Sequence, residues 1–443
     1  MRVAAGLISV GLVLGTAVGA QAKAPVPPVA PPGSIPGPDI SYWQGPNVNW
    51  PDIAAKGAKF TIIRATRGTS GKVNDAGLYT DPYFAQNVQG ARNAGLIQGS
   101  YHFATPNRTT GAVQADFFMN NGGGWIPDGR TLPGAVDLEN DPANKSLPAV
   151  AGVRKDCYNM KPEAMITWIR SFSSRYFQRT GRYPLIYTNA SWWKNCTGTA
   201  AEPNGTSAFN LTNPLWAANW QRKPTQPIMP SGFTKYTIWQ FWNGNDKPLF
   251  PGDQNMFPGS LKDLQAFAGR RDKPVADVVV RAKIGKLKAN KKATLTVVTG
   301  NRGPDGTGPV KLTIKLPKGL TLSKIGNRKS CKRATGGAVC AFPWVKANQK
   351  GTFRFTLKVA KRAKGTLITK FSVKATGSLD PVSRYNAPWL RAKVGGKAAI
   401  TQDKRYGSCK SVTKAKLGPY RKGWDPEYYW YKDGDKNGVV CPR

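Results

Sequence analysis

Two rhythms of apolar and polar positions divide the chain. Between Pro38 and about Asp272, short apolar runs alternate with helix-length stretches: "FTIIRAT", "ARNAGLIQGSYHFA", "TLPGAVDLEN", "PEAMITWIRSFSSRYFQRTGRYPLIYTN", "PLWAANW" and "YTIWQFW". In the segment from Pro162, Met165, Trp168, Ile169 and Phe172 recur at spacings of three and four. That spacing predicts an amphipathic helix, which Gly181 stops before the strand "PLIYT". Strand, helix, strand in this order predicts parallel pairing and an α/β architecture. After Asp272 the period falls to two. "ADVVVRAKI", "KATLTVVTGN", "VKLTIKLP", "GTFRFTLKVA" and "LITKFSVKAT" alternate apolar with polar residues between Gly, Pro, Asn and Lys turns. No helix-length pattern intervenes, so an antiparallel sandwich of about 120 residues is expected.

The ends of the chain add three further segments. Residues 1–22 read as a secretory signal, with Arg2, an apolar run rich in Val, Leu, Gly and Ala, and the small-x-small pattern Ala20-Gln21-Ala22. Residues 23–37, "KAPVPPVAPPGSIPG", read as an extended proline-rich spacer. The expected layout is then 38–272 for the α/β region, 273–395 for the sandwich and 396–443 for a small cysteine-bounded module. No later stretch has the 18 or so apolar residues that a membrane span needs, so the mature chain is expected to be exported without one.

Cysteine and charge fit an exported protein. The six cysteines form sequence-local pairs, Cys157 with Cys196, Cys331 with Cys340, and Cys409 with Cys441, and disulfides are expected between them, by proximity, from fifteen connectivities. Zinc is not expected, because no C-x-x-C spacing occurs and the single histidine, His102, is remote. Of the 443 residues, 65 are Lys or Arg and 24 Asp or Glu, a net +41. Thirty-eight of the basic and eight of the acidic residues follow Lys273, so about +30 sits on the C-terminal part. Such a tail calls for an anionic partner. In the absence of a nucleic-acid motif, anionic cell-wall polymers are expected and nucleic acid is not.

Glutamate is scarce in this chain, Glu139, Glu163, Glu202 and Glu427 being the four, yet one stands in "LPGAVDLEND" two residues after Asp137. In a strand these two side chains share a face with backbones about 6.6 Å apart, and one of two adjacent carboxylates holds its proton near neutrality. A polar strand end is the bland alternative. Asp39 in "GPDISYWQG" and Asp253 in "GDQNMF" stand at the ends of the first and last expected strands. Strand ends of a parallel barrel converge on one mouth. Tyr42, Trp43, Tyr101, Tyr187, Trp216, Trp220, Trp239 and Trp242 crowd the same ends; flat rings beside carboxylates suit a sugar.

"DISYWQG", "GSYHF", "VDLEN", "IWQF" and "GDQNMF", in that order over roughly half the chain, resemble the glycoside hydrolase family 25 lysozymes, the Chalaropsis-type muramidases. The resemblance implies a flattened, irregular β/α barrel that cleaves the β-1,4 bond between N-acetylmuramic acid and N-acetylglucosamine in peptidoglycan without a cofactor. By motif position Glu139 would be the proton donor, Asp137 an ionised stabiliser beneath it, and Asp39 and Asp253 supporting acids. Tyr101, His102, Tyr187, Trp239 and Gln240 would face the substrate. A non-catalytic wall-binding or adhesive protein on an inactive barrel is the alternative. The sandwich resembles the immunoglobulin-like domains of bacterial surface proteins. The C-terminal "DGDKNGVVCP" resembles the excalibur pattern D-x-D-x-D-G-x-x-C-E, making Asp433, Asp435 and Asn437 candidate calcium ligands.

Overall fold

A computed structural model describes residues 30–68, 79–198, 209–221, 225–245, 248–326, 329–380, 382–415, 417–434 and 438–441. The expected signal segment 1–22 lies outside them, as do Asp435 and Asn437. The first region follows the α/β rhythm. Strands β1 (Ile35–Ile40), β2 (Phe60–Arg67), β3 (Tyr79–Thr80), β4 (Ile97–Phe103), β5 (Ala135–Asp137), β6 (Leu185–Thr188), β7 (Leu215–Ala218), β8 (Ile238–Trp242) and β9 (Asp253–Phe257) form one sheet in the order β1-β9-β8-β7-β6-β5-β4-β2-β3. A further parallel pairing, Asp39 with Ile62 and Ile40 with Ile63, joins β1 to β2 and closes eight strands into a barrel. Closure depends on Gly37, where a Cβ would lie 2.2 Å from the carbonyl oxygen of Phe60.

Two features differ from the pattern-based expectation. β1 begins at Ile35, inside the stretch read as spacer, and pairs Ile35 with Phe257. β9 runs antiparallel to both β1 and β8, so its first residue, Asp253, lies at the end of the barrel where the parallel strands finish. Hydrophobic alternation cannot report strand direction.

Helices α1 (Trp50–Ala55), α2 (Phe84–Asn93), α3 (Gly111–Phe118), α4 (Pro162–Thr180), α5 (Ala190–Thr197) and α6 (Leu261–Gly269) accompany the barrel. α4 is the helix predicted from Pro162. It buries Met165, Trp168, Ile169, Phe172 and Tyr176 and ends at Gly181 in the left-handed region, whose N–H donates to the Phe177 carbonyl. Its apolar stripe meets the outward side chains of the strands, while inward ones such as Phe60, Ile62, Ile97, Ala135, Leu185 and Trp216 fill the barrel. Burial on both faces explains the continuous apolar runs of β2 and β4. The Cys157–Cys196 disulfide joins the loop after β5 to α5, and both cysteines are buried in the outer core. The segment carrying Cys196 is a helix packed on the barrel.

Beyond Asp272 the period-two pattern becomes ten strands: β10 (Val278–Ile284), β11 (Lys292–Asn301), β12 (Val310–Lys315), β13 (Leu320–Ile325), β14 (Cys331–Ala334), β15 (Gly337–Phe342), β16 (Lys350–Val359), β17 (Thr366–Ala375), β18 (Trp389–Lys393) and β19 (Ala399–Ile400). They make two antiparallel sheets, β13-β16-β11-β10-β19 and β14-β15-β12-β17-β18, which share one core. Inward positions such as Val310, Leu312, Ile314, Phe371 and Val373 are buried, and the alternate ones carry exposed Lys311, Lys315, Lys370 and Lys374. Cys331 and Cys340 are bridged as direct cross-strand partners of β14 and β15. β19 pairs with β10, so the sheet reaches Ile400, past the expected limit of 395.

The last segment comprises α7 (Cys409–Lys414), β20 (Tyr420–Arg421) and β21 (Val439–Val440), closed by Cys409–Cys441. It docks on the sandwich through buried charges. Arg302 pairs with Asp277 at 2.7 Å and with Asp425 at 3.0 Å, while Arg281 pairs with the same Asp425 and both guanidiniums lie over Tyr385. The two arginines hold the Asp425 carboxyl below its usual range despite burial. Removing one partner of such a set strands a charge in low dielectric. Arg302→Ala is therefore expected to lower the unfolding free energy by about 3–5 kcal/mol, read by urea titration, with Arg302→Lys losing less.

Candidate active site

Inward-facing side chains change character toward the strand ends. Below are the apolar layers; at the mouth stand Asp39 (β1), Arg64 (β2), Tyr101 (β4), Asp137 (β5), Tyr187 (β6), Gln240 (β8) and Asn255 (β9), all buried. Asp39 and Asp253 are directly opposite each other in the β1/β9 ladder. Asp137 is the last residue of β5, and Glu139 follows in a bend, half-buried, so the strand is shorter than the D-x-E alternation suggested.

Gln240 organises the acids. Its Nε2 donates to Asp39 Oδ2 at 2.9 Å and to Asp253 Oδ2 at 3.2 Å. Its Oε1 accepts from Tyr187 O–H at 2.9 Å and from Trp220 Nε1–H at 2.8 Å, which fixes the orientation of the amide. Asn255 adds a second donor to Asp39 Oδ2 at 2.8 Å, and its own Oδ1 accepts from Trp216 Nε1–H at 2.8 Å. Asp39 thus has two amide donors on one oxygen, the arrangement that favours an anion.

Burial pushes every member of the acid set upward. Asp39 rises to about 6, restrained by Asn255 and Gln240. Glu139 rises to about 7 through burial and then the charges of Asp39 and Asp141, opposed by Arg67. Asp253 rises to about 8 through burial, Asp39 and Glu139. Asp137 goes well above the carboxylate range through burial and the neighbouring Glu139, and its Oδ1 has no hydrogen-bond donor. Two amide donors restrain the rise at Asp39, whereas burial and the neighbouring Glu139 push the Asp137 carboxyl toward its protonated form. The set titrates as a coupled group.

Basic and aromatic groups frame the acids. Arg64 Nε donates to Asp81 Oδ2 at 3.1 Å, with Tyr42 and Tyr79 against its guanidinium at 4.7 and 5.1 Å. Arg67 pairs with Asp141 and lies 4.7 Å from the Phe103 ring centre. Tyr158 O–H donates to the carbonyls of Ala104 at 2.9 Å and Glu139 at 3.2 Å, tying the backbone of the glutamate to the loop after β5. At the rim Trp43 is 75% and Trp220 52% exposed, enough to offer a ring face.

Of the residues expected to face the substrate, Tyr101, Tyr187 and Gln240 point into the mouth and two do not. His102 is fully buried on the outer side of β4, hydrogen-bonded to Thr66 and Gln114 and stacked against Phe172; burial takes its pKa down to about 4, leaving it neutral. Trp239 is equally buried, its Nε1–H donating to the Asn219 carbonyl. Each lies one residue out of phase with an inward neighbour, Tyr101 and Gln240 respectively. Asn255, Arg64, Asp81 and Tyr158 were missed. The period-two spacing of Asn255 from Asp253 and the lone Arg64 inside "FTIIRAT" were signals for two of them. At the C-terminal module, Asp433 Oδ2 accepts from Tyr428 O–H and from the Gly438 N–H; the other two calcium candidates, Asp435 and Asn437, lie outside the described residues.

A carboxyl whose folded pKa exceeds its unfolded value near 4 stabilises the fold fully at low pH, and that contribution is lost as pH rises through the folded value. Stability should therefore decline between about pH 5 and 8. Asp253→Asn should flatten the decline, gaining on the order of 1–3 kcal/mol over the wild type at pH 8 and little at pH 4, as read by denaturation at each pH.

The model of glycosyl hydrolases family 25 matches residues 38–248 of the chain, and that of the Excalibur calcium-binding domain matches residues 406–441. Lysozyme M1 of Streptomyces globisporus is 41% identical over 236 residues, 53% of this chain and 71% of that one. The N,O-diacetylmuramidase of Chalaropsis sp is 42% identical over 239 residues, 53% of this chain and 99% of that one. Among solved structures, the muramidase from Trichobolus zukalii is 41% identical with a TM-score of 0.45, covering 53% of this chain and 99% of that one.

Proposed function

The chain belongs to glycosyl hydrolase family 25, and we propose that it is a muramidase hydrolysing the β-1,4 bond between N-acetylmuramic acid and N-acetylglucosamine in peptidoglycan, with Glu139 as proton donor. The observation that carries the assignment of roles is the split among the acids: Glu139 sits half-buried at the mouth with its pKa raised to about 7, beside an amide-bound Asp39 at about 6. Glycosidic cleavage needs a proton for the leaving oxygen and negative charge near the oxocarbenium-like centre. Glu139 supplies the first and Asp39 the second. Asp137 is the stabiliser: positive charge building at the anomeric carbon favours the ionised carboxyl that burial suppresses in the free protein. Asp253, bridged to Asp39 through Gln240, holds the anion in place. Trp43 and Trp220 are the ring platforms for the glycan, and Tyr187 and Tyr101 line the space beneath.

Export through the N-terminal segment and retention on an anionic wall by the basic C-terminal part are the setting in which this activity makes sense. Asp433, Asp435 and Asn437 offer hard oxygen donors of the kind calcium takes, and an ion there would stiffen the C-terminal turn.

Reducing-end release from purified peptidoglycan tests the roles. Glu139→Gln should lower kcat by about 10²–10⁴-fold, and loss of activity in Asp39→Asn without loss of fold should accompany it. The wild-type rate should follow a bell, since Asp39 must be ionised and Glu139 protonated, with limbs near pH 6 and 7. A folded wild type that binds peptidoglycan and releases nothing would leave the adhesive reading in its place. Trp43→Ala should raise KM by about tenfold at little cost in kcat, as loss of one stacking contact of about 1.4 kcal/mol implies.

A further inference from the structure

The end of the barrel opposite the acids carries a second recess. A groove of about 670 Å³ opens where Tyr183, Pro214 and Thr237 lead into β6, β7 and β8 and where the antiparallel β9 finishes at Phe257. The segment from Arg270 to Lys273 forms one wall, and Leu379 of the sandwich region closes the far side. The groove is therefore separate from the mouth, on the face where the parallel strands begin.

Its lining is strongly one-signed. Arg182, Lys235, Arg270, Arg271 and Lys273 face a single acid, Asp272, and that acid is already used. Arg182, itself buried, donates to Asp272 Oδ1 at 2.9 Å, and the Tyr183 N–H donates to Oδ2 at 2.9 Å. Asp272 thereby pins the wall so that Arg270, Arg271 and Lys273 point to solvent on either side of it. Among the described residues no carboxylate lies within ion-pair distance of Lys235, Arg271 or Lys273, and Arg270 reaches Asp272 only at 3.7 Å. Five cations and one neutralised acid around an open groove raise the local concentration of anions. Arg270 and Arg271 are exposed, the first only 3.7 Å from Asp272 and the second 5.7 Å from the Trp125 ring centre, and exposed guanidiniums favour phosphate, which they bind in bidentate fashion. Of the lining rings, Phe257 and Phe267 pack on each other, Tyr183 stacks on Phe177 and Tyr236 meets Trp239 edge-on. Each ring already has one ring partner, which leaves less stacking surface than the successive open faces by which single-stranded nucleic acids are held.

We propose that this groove binds a flexible polyanion with phosphodiester repeats, such as a polyol-phosphate polymer of the wall. The proposal rests on the reading of the chain as a wall-acting enzyme and gives that reading a second, non-catalytic contact, independent of the general basicity of the sandwich.

The test uses the full chain and soluble poly(glycerol phosphate), measured by titration at 0.05–0.2 M salt. Lys235→Ala/Arg271→Ala/Lys273→Ala should weaken binding about tenfold or more and flatten its salt dependence, since each lost cation releases one fewer counterion. A charge-matched control, Lys311→Ala/Lys358→Ala/Lys374→Ala, exposed on the sandwich strands, should change it less than about twofold. Equal losses in the two variants would overturn the proposal, as would tighter binding of a single-stranded oligonucleotide or equal binding of polygalacturonate. Cleavage of a short neutral glycan should be unchanged in the groove variant, and Glu139→Gln should still bind the polymer, so a failed groove and a failed muramidase assignment give different results.

Discussion

The side-chain amide of Gln240 is the constraint on which the site depends. An amide has one donor end and one acceptor end, and here the acceptor end is taken by Tyr187 and Trp220. The donor end is thereby committed to Asp39 and Asp253. Two carboxyls that face each other across the β1/β9 ladder would otherwise repel when ionised. With the amide between them, one can carry charge while the other keeps its proton. Three separate strands, β1, β8 and β9, are locked at their ends by the same group, so barrel closure and acid arrangement are one problem with one solution.

Much of this was legible in the residues, and each failure has a physical cause. Apolar period three-to-four located α4, and period two located β10, β11, β12, β16 and β17. Sequence proximity gave the three disulfides. The order of the five motifs gave the barrel and gathered Asp39, Asp137, Glu139 and Asp253 at one mouth. Phase was the information that failed: His102 and Trp239 belong to the right strands and the wrong side of them. A strand buried on both faces offers no polar alternation to say which side is the interior, so residues one step apart look alike until the barrel is closed. Direction failed at β9 because an apolar pattern reads the same from either end of a strand. The short strands β13, β14, β15, β18 and β19 were missed because few positions, a bulge in β13 and exposed aromatic or basic residues blur their alternation.

Charge plays three different parts in one chain. In the barrel mouth, burial and mutual repulsion hold carboxyls near neutrality. Between the sandwich and the C-terminal segment, buried arginines and aspartates pair and act as a joint. On the outward positions of the sandwich strands, lysines stay in water. The net +41 conceals this division, since the residues that matter most for chemistry are among the few acids.

Tyr158 follows Cys157 directly, and its hydroxyl holds the carbonyl of Glu139. The backbone that presents Glu139 is therefore fastened through a covalent bond that persists only where thiols are oxidised. In a reducing interior that bond is absent and the loop after β5 is left with noncovalent ties to α5, such as the 2.9 Å hydrogen bond from Trp192 Nε1–H to the Asp156 carbonyl. The geometry of Glu139 is thus tied to redox conditions, and the site has its full rigidity only where Cys157 and Cys196 are joined.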